Sequence, residues 1–350
     1  MIDFRYHLVS IVAVFLALAI GIVFGSTELQ GSTIDGLRGV NNSLNSKLNA
    51  ASAQRDGFAT EAGASDQFLQ TAEPKLLGAM LAGMRIVLVT EPGAPSSIID
   101  GIEKAAGYAG ATVTGTVALQ PKFNDLSGTT RSSLSSINAE QAAFNGVTLA
   151  PAADERTVQQ QEAAQLIAAA ILDKTDGQPG LAVPDAQTLL KAYVQGGYLT
   201  YTGAPTNRAT LAVLVTPQTA PADGPNDPAN LVLLAIAAQF ANAKASAATL
   251  VAGPVTASAA PAGAISVLRG SSVSGQVSSV DNADTGLGQI SAIWALADQM
   301  AGGKPNSYGI SGASAVSPSV PLPVPSATPG ATVTPTTKAT GKVKKTVNTK

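Results

Sequence analysis

The side chains able to do chemistry are few, and their placement narrows what that chemistry is. His7 is the only histidine and cysteine is absent, so a Ser-His-Asp triad, a histidine base beyond residue 7, a thiolate nucleophile and a thiolate metal site are all excluded. The most site-like stretch is Val280-Asp281-Asn282-Ala283-Asp284-Thr285-Gly286, at the end of a predicted strand and ahead of a predicted helix. Two carboxylates there, Asp281 and Asp284, are candidates to hold a cation or a polar partner, because open α/β sheets bind ligands at strand carboxyl ends. The other reading has Asp284 or Thr285 capping the helix while Asn282 turns the chain. Met80 and Met84 offer soft thioethers of the kind that bind Cu(I), and share one face if a helix runs through both. Two sulfurs with no third soft ligand make a weak site, and core packing is the commoner use.

A phosphate cradle is also missing. The first apolar strand ends in Glu91-Pro92-Gly93-Ala94-Pro95-Ser96, which is neither G-x-G-x-x-G nor a P-loop, and a Glu91 anion would repel phosphate. No cofactor is evident from these residues. The net charge is −2, and Lys338, Lys342, Lys344, Lys345 and Lys350 all lie in the last stretch, so the body is more acidic still. That argues against nucleic acid as a partner.

The elements that must position these residues begin with Leu8 to Gly25, an apolar run without charge or proline. As a helix it reaches about the thickness of a bilayer's hydrocarbon core. Its lipid-facing side chains are Leu8, Val9, Ile11, Val12, Val14, Phe15, Leu16, Leu18, Ile20, Ile22, Val23 and Phe24. Arg5 precedes it, and the far flank has no Lys or Arg before Arg38, which leaves residues 1–7 cytoplasmic and sends the bulk outward. A cleaved signal peptide is the competing reading, but no clean A-x-A site follows the run. The expectation is a cell-membrane, single-pass protein with the bilayer as its first partner.

Residues 26–73 read as a helical stalk, a possible coiled coil. Leu37, Leu44, Ala51 and Phe58 recur every seven residues, with Val40, Leu48, Ala62 and Leu69 in the neighbouring stripe. Lys47 and Glu61 interrupt that stripe, five glycines weaken the helix, and a single amphipathic helix is the alternative. Pro74 opens a short helix through Leu81. Beyond it, apolar runs alternate with helical stretches: strands at 85–90, 111–119, 198–202, 210–216, 249–253 and near 277–280, helices at 95–108, 157–174, 185–195, 228–244 and 287–300. Such alternation predicts a three-layer α/β domain over 74–308 with a mostly parallel sheet. Residues 309–350, rich in Pro, Thr and Lys, read as a disordered tail.

Two blocks carry a family resemblance. MIDFRYHLVSIVAVFLALAIGIVFGS at the N-terminus, and SSVDNADTGLGQISAIWALADQMAGG followed by Asn306-Ser307-Tyr308-Gly309, resemble the actinobacterial MctB family. The resemblance implies an anchored envelope protein of copper efflux or copper homeostasis, sometimes described as an outer-membrane channel. Related SteB-like proteins are linked to septal envelope maintenance with a membrane protein, SteA, which makes a SteA-like partner or self-association through the stalk the implied alternative. Copper enters by this resemblance alone, and the residues point to a non-enzymatic protein. A channel through an outer membrane calls for a closed barrel of alternating strands, which the helix-separated apolar strands do not resemble.

Overall fold

The computed structural model describes residues 4–173, 180–217, 224–242, 248–255 and 263–319. The chain divides into two units, Met1–Thr71 and Ala72–Lys350.

The first unit is helical over all of its described residues. One helix, α1, runs from Phe4 to Leu77, so the predicted anchor and stalk are segments of a single element. Glycines such as Gly36, Gly39, Gly57 and Gly63 lie inside it with open space around each. A helical glycine costs only about 1 kcal/mol, too little to end a helix whose neighbours are good formers. Pro74 does not open a new helix as its position predicts. It lies within the end of α1, and the chain then leaves the helix through turns in which Ala79 takes φ 60°.

The second unit is a three-layer α/β domain. Its elements are β1 (Arg85–Thr90), α2 (Ser96–Tyr108), β2 (Thr112–Leu119), α3 (Gly128–Asn145), α4 (Val158–Ile171), α5 (Val183–Gln195) and β3 (Leu199–Gly203), followed by β4 (Leu211–Val215), α6 (Pro228–Asn242), β5 (Ala248–Ala252), α7 (Ala264–Arg269), β6 (Ser278–Val280), α8 (Gly286–Met300) and β7 (Ser307–Tyr308). The seven strands lie in the order β3-β2-β1-β4-β5-β6-β7. All neighbours are parallel except β2 and β3, which run antiparallel, so the sheet is mixed. It is also open, with β3 and β7 at its edges.

Strands β4 and β5 are buried along their whole length, which is why they read as continuous apolar runs rather than alternating ones. One sheet face, with Val87, Val89, Val117 and Leu214, packs into a core with residues of α4, α5, α6 and α7. On the other side lie α2 and α8, which bury Ile98 and Ile102, and Ile290 and Ile293.

Helix α3 has no counterpart among the expected elements. Its buried face is Thr130, Leu134, Asn138 and Gln141, too polar to show an apolar period. Asn138 is held by the Tyr193 hydroxyl, which donates to its Oδ1 at 2.7 Å, and by its own amide donating to the Gln159 carbonyl at 2.8 Å. Hydrogen bonds replace hydrophobic contact there.

Residues 309–319, which composition assigns to the tail, are folded against the domain. Tyr308 and Ala315 form a β-bridge, and the Gly309 N–H donates to the Ala315 carbonyl at 3.0 Å. The remaining stretch of the predicted tail, 320–350, lies outside the described residues.

Candidate functional site

The sheet reverses its strand order between β1 and β4, and the carboxyl ends of those strands are where open α/β sheets hold ligands. Glu91, the residue after β1, is fixed there by its N–H donating to the Val215 carbonyl at 2.9 Å. It is 6% exposed, and its Oε2 has no hydrogen-bond partner. Burial without a partner penalises the charged form, so its carboxyl is pushed up from 4.5 to about 8. The expected phosphate-repelling anion is therefore a neutral acid at pH 7. Around it the crest is closely packed. A side chain at Gly253 would come within 2.4 Å of the Thr216 hydroxyl, and Thr216 is 1% exposed. Gly93, at φ +83°, lets the chain turn beside Pro217 toward α2. The arrangement holds a proton and no glycine cradle.

The second crest lies where β6 ends. Asp281 is 2% exposed and its carboxylate is filled by donors from this chain. Arg269 Nη1 donates to Oδ2 at 2.7 Å, the Ser311 N–H to Oδ2 at 2.7 Å and the Ile310 N–H to Oδ1 at 2.8 Å. Arg269 in turn donates from Nη2 to the Tyr308 carbonyl at 2.7 Å, from Nη1 to the Ser311 carbonyl at 2.6 Å and from Nε to Ser279 Oγ at 3.0 Å. Gly309 sits at φ +126°, where a Cβ would lie 1.8 Å from Asp281 Oδ1. The pair thus latches the 309–315 loop over the end of the sheet. Beside it is a cavity of about 190 Å³ lined by Arg269, Ser279, Asn306, Ser307 and Ser314 among others, polar enough to take a small hydrophilic molecule.

Asp284 faces elsewhere: it is exposed, and its Oδ1 accepts the Val255 N–H at 3.3 Å. Thr285 caps α8, its hydroxyl oxygen accepting the Gly288 N–H at 3.1 Å, while the Asn282 carbonyl accepts from both the N–H and the hydroxyl of Thr285. Asp281 and Asp284 have separate sets of partners. Met80 and Met84 do not share a helical face, because α1 has ended and Ala79 is left-handed. Met84 Sδ accepts from the Thr210 hydroxyl at 3.8 Å. Among the described residues no group of three or more His, Cys, Asp or Glu side chains is placed to hold a metal. Sequence reasoning missed Arg269 altogether; its partners are 10 to 42 residues away.

The anchor side chains lie within the span Arg5–Gly25, of mean hydropathy 2.8 and 0% buried. Leu37, Val40, Leu44, Leu48 and Phe58 of the predicted seam are all more than half exposed, and Leu69 is half-buried. One helix presents both apolar sets to its surroundings.

A family described as "Copper transport outer membrane protein, MctB" matches residues 1–318. The chain belongs to the MctB family. Its relatives include proteins named copper transporter MctB in Mycobacterium tuberculosis and Mycobacterium bovis, each 30% identical over 320 residues, covering 88% of this chain and 96% of theirs. The Mycobacterium leprae protein of the same name is 29% identical over 329 residues, covering 92% of this chain and the whole of that one. MctB membership thus takes in α1 and the α/β domain together, and the likeness noted in the two terminal blocks extends across what lies between them.

Proposed function

We propose that this chain serves copper efflux or homeostasis from the cell envelope as a non-enzymatic, membrane-anchored protein. The match of residues 1–318 to a copper-transport family carries this reading. Copper is the cargo of the process rather than a resident cofactor of this domain. The apolar start of α1 stays in the cell membrane, with Arg5 and His7 on the cytoplasmic side and the α/β domain outside it. An open sheet covered by helices suits water rather than lipid, which supports anchoring by the helix over a barrel. The test is a deletion strain: it gains copper and becomes copper-sensitive, and division or wall defects at normal copper content overturn the assignment.

A second reading rests on the exposed seam of α1. At about 100° per residue, Leu37, Val40, Leu44, Leu48, Ala51, Phe58, Ala62 and Leu69 fall within roughly a quarter of the helix circumference. With Leu37, Leu44, Ala51 and Phe58 taken as heptad d positions, the a positions are Asn41, Leu48, Arg55, Ala62 and Leu69. Lys47 and Glu61 then leave the seam for its flank, and Asn41 is the kind of a-position residue that fixes register. On this reading α1 is a scaffold that pairs with itself or with a SteA-like membrane protein to position envelope-remodelling machinery.

A further inference from the structure

Strand β3 ends the sheet with an edge that carries neither charge nor proline. In the β2–β3 ladder the Gln120 N–H donates to the Tyr198 carbonyl at 2.9 Å and the Ala204 N–H to the Thr114 carbonyl at 2.8 Å. The register runs from Leu119↔Leu199 to Gly115↔Gly203. Alternation then turns the main chain of Thr200 and Thr202 toward β2 and that of Leu199, Tyr201 and Gly203 outward. Among the described residues nothing pairs with that outer side: β3 is terminal in the strand order, and Thr200, Tyr201, Thr202 and Gly203 are all exposed. The strand is Leu-Thr-Tyr-Thr-Gly, with no charge and no proline; Gly203 ends it at φ +71°, and the extended stretch before that glycine is what invites another strand. The nearby Lys122 is turned away, donating to the Gly196 carbonyl at 2.8 Å and lying over the Tyr198 ring.

We propose that the β3 edge pairs with the β3 edge of a second copy, continuing the sheet across a two-fold axis at Tyr201. Thr200-Tyr201-Thr202 reads the same in both directions, so antiparallel self-pairing sets Thr200 against the second copy's threonine at 202, and tyrosine against tyrosine. Such cross-strand Thr–Thr and aromatic pairs are favourable. The parity also closes: the axis falls on an outward-facing residue, so each Tyr201 N–H meets the other copy's Tyr201 carbonyl, and each Gly203 N–H faces the other copy's Leu199 carbonyl. With no charge on either strand, like meets like without repulsion. The inference does not depend on copper or on pairing of α1.

The test uses the full chain in detergent. Exchange of the Tyr201 and Gly203 amides should slow roughly tenfold or more as protein concentration rises, and Tyr201→Cys, in a chain with no other cysteine, should oxidise to a covalent dimer, since an antiparallel pair sets its Cα atoms about 5.5 Å apart. Ser132→Cys, at an exposed position of α3, should stay monomeric under the same oxidant. Tyr201→Pro removes only an outward donor and leaves the β2 ladder intact, so it should keep the melting temperature and lose the protection at Gly203. Free exchange at every concentration overturns the proposal. So does protection unchanged by dilution, which means the chain covers its own edge, or protection that survives Tyr201→Pro. Cysteines on the α1 seam report stalk pairing separately.

Discussion

Glu91 carries a proton that the unfolded chain releases near pH 4.5, whereas the folded chain keeps it to about pH 8. Between those values the native state binds more protons, so the residue's contribution to stability is fully present below pH 4.5 and is lost as pH rises through 8. Glu91→Gln keeps the shape and removes the titration. The variant should melt close to the parent near pH 5 and progressively above it toward pH 9, a gap on the order of a few kcal/mol. Parallel melting curves across that range would mean that Glu91 is solvated or paired. Arg269 is the opposite case. Arg269→Met leaves Asp281 buried with only two N–H donors and should cost about 3–5 kcal/mol by denaturant titration, with the 309–315 loop the first segment to lose hydrogen-exchange protection. At this scale the sequence was only partly readable. Thr285 was legible as a cap because caps are local. Asp281 looked like a ligand because the groups that fill it, Arg269, Ile310 and Ser311, come from elements the sequence does not place beside it.

Helix α1 is the element whose reading matters most for partners. If the seam pairs two stalks, cysteines at Leu37, Leu44 and Phe58 should each form disulfide-linked dimers in membranes, while Lys47→Cys on the flank crosslinks less. Asn41→Leu should tighten the association and loosen its register, as an apolar residue does at a polar a position. Silence at all three seam positions would leave α1 as an unpaired amphipathic helix. The β and α segments of the domain were legible wherever burial was apolar, as in β1, β4, β5 and α8. They were not legible where burial was polar, as in α3, and although β3 was legible as a strand, its antiparallel direction was not, because topology sets it. Pro74 misled for a simpler reason: a proline can sit within the end of a long helix, where little ladder remains to be broken.

For the whole molecule, the proposed copper function belongs to an α/β domain held at the membrane by its own first helix. The apolar start of α1 was legible from hydropathy, the α/β architecture from alternating segments, and the family from the two terminal blocks; the antiparallel edge of the sheet and the closed 309–315 loop were not, because residues distant in sequence set them. The most direct measurement is the intracellular copper of a deletion strain carrying either the full chain or the same chain with residues 1–25 replaced by a cleavable secretion signal. Copper should return to normal only with the anchored chain. Normal copper restored by the released domain, or a deletion strain whose copper never rose, would contradict it.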